Sequence, residues 1–204
     1  MASDKQRGKI IVTAEQWVAT ILAGSALTEG GAFAWMVYRA RARGYGLRWL
    51  GWGQGTNAAG MLAGLMVAAL YCAWSVGGVA GLWDDVLRFG ALKLLALAAA
   101  GAAALFEETL FRGLLMNRMR ARGRSAFAQV VVSGLAFGAA HGLWGLMAPG
   151  YTLGFMVATT ALGLALACVF LLGRRSLTPV ILSHFLIDAV LEPWLLLHVF
   201  QAGR

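Results

Sequence analysis

The chain has 204 residues, of which 60% are hydrophobic and only 13% charged, with a mean hydropathy of +0.71. Soluble domains carry about 25% charged residues, so this composition excludes a soluble monomer, and abundant apolar residues with only three prolines exclude disorder. Two cysteines, Cys72 and Cys168, both inside apolar runs, exclude a disulfide scaffold, and seventeen Lys and Arg against nine Asp and Glu leave a formal net charge of +8.

The first apolar run, Ile11 to Tyr38, is interrupted by Glu15 and Glu29 and is longer than one span needs. It predicts an interfacial N-terminal turn followed by a tilted span. Glu15 breaks the early run and no small-x-small site follows, which argues against a secretory signal peptide. A glycine-rich loop (Gly51, Gly53, Gly55) leads to a second run, Ala58 to Val76. Leu82 to Phe89, with Asp84, Asp85 and Arg88, reads as a short amphipathic interfacial piece. A third run extends from Leu92 to Met116, a fourth from Ala126 to Leu146, and a fifth from Thr152 to Leu172. The sixth is expected to start after Pro179, a residue suited to a helix start, and to reach Leu191. Pro193 ends it, leaving an apolar tail from Trp194 to Phe200 suited to the interface. The expectation is one all-α domain over residues 1–204, a bundle of about six spans with short interfacial helices. Gly134, Gly138 and Gly142 form a small-residue ridge on the fourth span that permits close helix packing.

The basic residues cluster in loops 39–48, 118–124 and 174–175, which alternate so as to fall on one side of such a bundle. That is the pattern of cytoplasmic loops, and the Ala/Arg/Gly-rich composition points to a bacterial inner membrane. Lys5, Arg7 and Lys9 would then lie on the other side. No stacking aromatics alternate with the arginine clusters, which argues against nucleic acid as a partner and for the lipid bilayer.

Nine acids and three histidines are few, and in hydrocarbon each ionisable group is expensive. Asp4, Glu15, Glu29, Asp84, Asp85 and Glu192 fall near termini, run ends or loops, and His198 lies in the tail. Glu107, Glu108, Arg112, His141, His184 and Asp188 remain at membrane depth. Glu108 and Arg112 are four apart and share a helix face, so they can pair. Glu107 is turned about 100° away, with nothing local to neutralise it. His184 and Asp188 are again four apart, so the carboxylate can hold the imidazole. Phe137 shares a face with His141. No serine sits in a nucleophile-elbow setting, and both cysteines read as packing residues. A carboxylate beside an imidazole in a dry cavity suits a general base acting on water, which means hydrolysis, with neighbouring polar groups donating to a developing oxyanion.

The segments Glu107-Glu108-Thr109-Leu110-Phe111-Arg112, Phe137-Gly138-Ala139-Ala140-His141 and His184-Phe185-Leu186-Ile187-Asp188 read EExxxR, FxxxH and HxxxN/D. In this order they resemble the CPBP family, also called ABI, of CAAX prenyl endopeptidases and bacteriocin-processing or immunity enzymes. The motif region covers about Leu92 to Leu191. The resemblance implies a glutamic-type intramembrane endopeptidase without a cofactor. Its substrate would be a protein or peptide with a membrane-embedded or lipidated segment. It implies that Glu107 activates water, His141 positions or polarises it, His184 and Asp188 stabilise the oxyanion, Arg112 holds the site and Glu108 supports it. Eukaryotic-type members resemble Asn at the position of Asp188. An ionised Asp cannot donate to an oxyanion, so Asp188 either carries a proton or orients His184. Three other readings use the same residues. The Glu, His, His and Asp set could ligate zinc in a metal-dependent membrane protease. The cluster could pack a non-catalytic scaffold or immunity protein. Glu107 could carry protons in a transporter, although no broken segments in matching halves accompany it.

Overall fold

A computed structural model describes residues 13–143 and 149–202. Residues 4–9, with the early basic cluster, and 144–146, the end of the fourth run, lie outside the described residues. Eight helices make up the bundle, and no strand occurs among the described residues. Helix α1 spans Ala14–Ala42, α2 Ala58–Gly78, α3 Leu82–Val86 and α4 Ala91–Ala121. Helices α5 (Ala126–His141), α6 (Thr152–Leu172), α7 (Leu177–Leu191) and α8 (Trp194–Ala202) complete it.

The helix starts follow from polar caps set just ahead of apolar runs. Thr13 and Gln16 form a capping box on α1, while Asn57 and Ser125 accept from Gly60 N and Ala128 N to open α2 and α5. The first run therefore makes one continuous helix of 29 residues, about 43 Å long, and not an interfacial turn followed by a span. Helix α7 starts at Leu177, two residues before Pro179, with Ser176 as its cap. The first turn has no intrahelical use for its N–H groups, so a proline fits at its third position as well as its first. Among the described residues, three helices are long and apolar enough to cross a membrane: α2, α4, and α6 with its leading turn, Pro149–Leu172. Helices α5 and α7, at 16 and 15 residues, are apolar but short. Large apolar side chains stand exposed on the outside, among them Leu62, Met66, Leu70 and Trp74 along one face of α2. Cys168 is exposed too, on the lipid-facing surface rather than in the packing.

Lipid is as apolar as leucine, so such a bundle holds together by close contact more than by expulsion of water. The crossing of α5 and α6 shows how. A Cβ on Gly134 would stand 2.9 Å from the backbone nitrogen of Leu164, and one on Gly138 would overlap Thr160 and reach within 2.8 Å of the Met156 carbonyl oxygen. One on Gly142 would meet Met156 Sδ at 3.0 Å. The glycine ridge read from the sequence thus brings two backbones together. Helix α8 is not a free interfacial tail. Leu196 and Leu197 are buried in a cluster with Val18 and Leu22 of α1, and His198 Nε2 meets Asp85 of α3 at 3.1 Å.

The three basic loops converge at one end of the bundle. Asn117 Nδ2 donates to the Trp49 carbonyl at 2.7 Å, Arg175 donates to the side-chain oxygens of Asn117 and Gln129, and Gln129 Nε2 donates to the Arg124 carbonyl. The alternation inferred from the loops' charge therefore has a physical counterpart in one polar seam.

Candidate active site

Helix α4 changes character where the scarce charges begin. The α-helical hydrogen-bond pattern runs to Glu108, and Thr109–Met116 forms a π-helical stretch before the α pattern resumes. Such bulges recur at functional sites, since the wider turn re-aims side chains. Arg112 lies inside it, and the chain closes around both members of the pair. Arg112 Nη1 donates to Glu108 Oε1 at 2.9 Å, and both side chains are fully buried. Arg112 Nη2 donates to the Gly163 carbonyl on α6 at 2.9 Å, while its guanidinium lies 4.5 Å from the centre of the Phe137 ring. Gly163 is in turn packed on the glycine ridge, where a Cβ would stand 3.1 Å from Gly134 Cα. The ridge thus fixes where the arginine finds its acceptor.

Glu108 has a second partner that helical spacing does not reveal. His184 Nδ1 lies 2.8 Å from the same Oε1, across from α7. The other ring nitrogen, Nε2, lies 3.2 Å from Asp188 Oδ2. The expected pairs Glu108–Arg112 and His184–Asp188 are both formed, and His184 joins them into one chain of contacts from Arg112 to Asp188.

Glu107 and His141 stand apart from that chain. His141 Nδ1 lies 2.9 Å from the Phe137 carbonyl oxygen. A carbonyl only accepts, so Nδ1 carries the hydrogen, and in the neutral ring Nε2 presents a lone pair. That Nε2 is 4.0 Å from Glu107 Oε2, too far for a direct hydrogen bond. Glu107 Oε2 is buried and has no hydrogen-bond partner among the described residues. Phe137 stacks against His141 at 4.6 Å between ring centres and meets His184 edge-on at 5.7 Å, so one aromatic ring sets both imidazoles.

The two groups border one cavity of about 140 Å³, lined by Glu107, His141, His184 and Asp188 among others. Its wall draws on Leu22 and Glu29 of α1, Ala99 of α4, Phe155 of α6 and Leu195 of α8. Leu22, Ala99 and Phe155 lie on the parts of their helices remote from the basic loops, and Glu29 lies mid-helix, so the cavity extends from mid-bundle away from those loops. Two acids expected near run ends, Glu29 and Glu192, line this cavity as well. Glu29 follows Leu22 and Ser25 on a single helical face, which turns it inward although it interrupts the run. Lys93 also escapes a reading that treats the start of the third run as uniformly apolar. It is buried, and its Nζ donates at 2.9 Å to the carbonyls of Val190 and Glu192, closing the end of α7. In each case the signal was available: an ionisable residue within an apolar stretch. Among the described residues, no group of three or more His, Cys, Asp or Glu side chains is arranged to hold a metal ion.

Residues 89–190 match the family described as type II CAAX prenyl endopeptidase, Rce1-like. The chain belongs to this family. The match begins at Phe89 and ends at Val190, so it contains all six polar residues above and nearly coincides with the motif region read from the sequence. Neither the curated proteins nor the solved structures contain a match to this chain. Membership makes the protein a CAAX-type membrane protease, and its apolar helices fit an integral membrane protein.

Proposed function

We propose that the protein is a glutamic-type intramembrane endopeptidase in which Glu107 activates the attacking water. The observation that carries the reading is the 4.0 Å gap between Glu107 Oε2 and His141 Nε2. Two acceptors at that separation are suited to sharing one water, which donates a hydrogen to each. Its lone pairs then point away from both, toward a carbonyl carbon entering from the cavity. Attack transfers one water proton to Glu107, and the developing oxyanion needs a donor. His184 Nε2 is the nearest candidate. It would exchange its 3.2 Å contact with Asp188 for the oxyanion while Nδ1 stays fixed on Glu108. In this scheme Asp188 orients His184 and does not itself donate. Arg112 and Glu108 hold the frame. Glu107 then returns its proton to the leaving amine.

The whole chain, 1–204, acts as one protease domain, with α1, α5 and α7 crossing the bilayer beside α2, α4 and α6. Loops 39–48, 118–124 and 174–175 face the cytoplasm of a bacterial cell. The substrate is a protein or peptide whose scissile bond lies next to a membrane-embedded, C-terminally anchored or lipidated segment. The test compares membrane proteomes of wild-type and Glu107→Ala strains, with the variant's membrane level confirmed. Precursors that accumulate uncleaved only in the variant support the reading. Identical proteomes at equal expression overturn it. Phenanthroline separates the metal-dependent alternative, because full activity in its presence is expected of a glutamic mechanism and loss of activity is not.

A further inference from the structure

The end of the bundle remote from the cavity carries a second feature. A cavity of about 390 Å³ opens between the three basic loops, and four arginines line it: Arg48, Arg120, Arg174 and Arg175. No acidic side chain lines it, and none of the four arginines forms a salt bridge among the described residues. Arg175 is half-buried, and its guanidinium donates only to the neutral side-chain oxygens of Asn117 at 3.0 Å and Gln129 at 2.6 Å. Those two amides are themselves buried, so the cation is held in place by groups that leave its charge uncompensated. Burial and the neighbouring Arg120 guanidinium pull the Arg175 pKa below the usual arginine range, the direction expected of a cation lacking an anion. The backbone adds an independent sign. Arg174 and Arg175 adopt φ of 58° and 62°, a left-handed conformation that glycine takes freely and an arginine does not.

We infer that this pocket binds a phosphate group, supplied by the headgroup of an anionic phospholipid. Arginine's fork of donors suits phosphate oxygens, and convergent cations are what such a group requires. The surroundings of the pocket favour a lipid as its carrier. The pocket sits where apolar helices end, and the nearby Leu172 and Phe127 side chains stand exposed, where an acyl chain could lie along them. Basic pockets between membrane helices recur as headgroup sites. The site is also remote from the cavity that holds Glu107, so the inference stands whether or not the protein cleaves peptides.

The experiment is native mass spectrometry of the full chain in neutral detergent, titrated with phosphatidylglycerol or phosphatidylcholine. Selective retention of phosphatidylglycerol is expected. Each basic side chain near an anionic lipid is worth about a factor of five, so Arg120→Gln with Arg174→Gln should weaken retention by about 25-fold. Arg174→Gly is the second variant. It relieves the left-handed backbone, so it should raise thermal stability while still weakening retention about fivefold, a split that general damage to the fold would not give. Millimolar inorganic phosphate distinguishes the sources of the group. Retention that survives it assigns the pocket to the headgroup, and arginine-dependent displacement assigns it to free phosphate and overturns the lipid as carrier. Equal retention of both lipids by the wild type, or undiminished phosphatidylglycerol binding in both variants, overturns the site itself.

Discussion

Glu107 and Glu108 are neighbours in sequence with opposite surroundings. Glu108 is fully buried, and its Oε1 holds both Arg112 Nη1 at 2.9 Å and His184 Nδ1 at 2.8 Å. Glu107 faces a cavity across a 4.0 Å gap and bonds to nothing among the described residues. A membrane penalises both carboxylates alike, so the difference lies in what each is given. A buried carboxylate that holds an arginine and a histidine on one oxygen is a structural anchor whose removal strands other charges, even though its Oε2 has no partner among the described residues. One left unpartnered beside an imidazole retains the freedom to accept and return a proton. Under the proposed function, a pair of adjacent acids divides one burden, with the first reserved for chemistry and the second committed to holding the frame.

The sharpest way to break the comparison is to neutralise each carboxylate in turn. Glu107→Gln should cost about 10³–10⁴-fold in cleavage rate, the upper part of the range a general base contributes. It should leave thermal stability nearly unchanged, because Glu107 has no hydrogen bond to lose. An active Glu107→Gln enzyme would remove Glu107 from the chemistry. The complementary change is Arg112→Leu, which takes the arginine from the buried Glu108 and leaves His184 as its one partner. Removing one partner of a buried ion pair costs about 3–5 kcal/mol, so a marked fall in melting temperature is expected. A stability equal to wild type would mean that the Glu108 group is not the anchor described here.

His141 tests the cavity-facing side with a smaller effect. Its Nδ1 is fixed on the Phe137 carbonyl, and only Nε2 faces the cavity. His141→Ala should lower the rate by about 10²-fold, the lower end of the acid–base range, without the stability loss of Arg112→Leu. A melting temperature that falls as far as in Arg112→Leu would show His141 to be part of the frame. Next comes Gly138→Ala, which touches neither carboxylate. The added methyl overlaps Thr160 and crowds the Met156 carbonyl, so it should cost about 1–3 kcal/mol by overpacking. Because the same crossing sets Gly163 under Arg112, the variant should also lose some activity. A neutral result would show that the glycine ridge leaves slack at this contact.

Much of this was legible before any coordinates. Six polar residues at membrane depth in an otherwise apolar chain single themselves out by cost, and i,i+4 spacing pairs Glu108 with Arg112 and His184 with Asp188. The glycine spacing on α5 predicts close approach because only a missing Cβ permits it. Long-range geometry was not legible. Nothing local says that His184 bonds Glu108, 76 residues earlier, since spacing rules act within one helix. Nor does the sequence mark the π-helical stretch, where a 3.6-residue period no longer applies. Glu29 and Glu192 look peripheral in the sequence because each lies near a break in apolar character, yet which face an interrupting residue presents depends on where its helix packs. The glycine ridge, which looked like architecture alone, turns out to set the acceptor for Arg112.

The smallest expected effect concerns Asp188, where the family motif accepts either Asn or Asp. If this carboxylate only orients His184, what matters is an acceptor oxygen 3.2 Å from Nε2, and an amide offers one just as a carboxylate does. Asp188→Asn should therefore keep cleavage within about tenfold of wild type, at unchanged melting temperature, since losing charge from one weak contact is worth about 1 kcal/mol. Asp188→Ala removes the acceptor altogether and should fall further, which makes the two variants together more informative than either. The amide also brings donors that a carboxylate lacks, so a faster Asp188→Asn enzyme would fit a side chain that can reach the oxyanion itself once it has hydrogens to give. A loss as large as that of Glu107→Gln would contradict the orienting role. It would place the charge of Asp188 among the groups that take part in the chemistry, and the division between an unpartnered acid and a fixed frame would have to be redrawn with Asp188 beside Glu107.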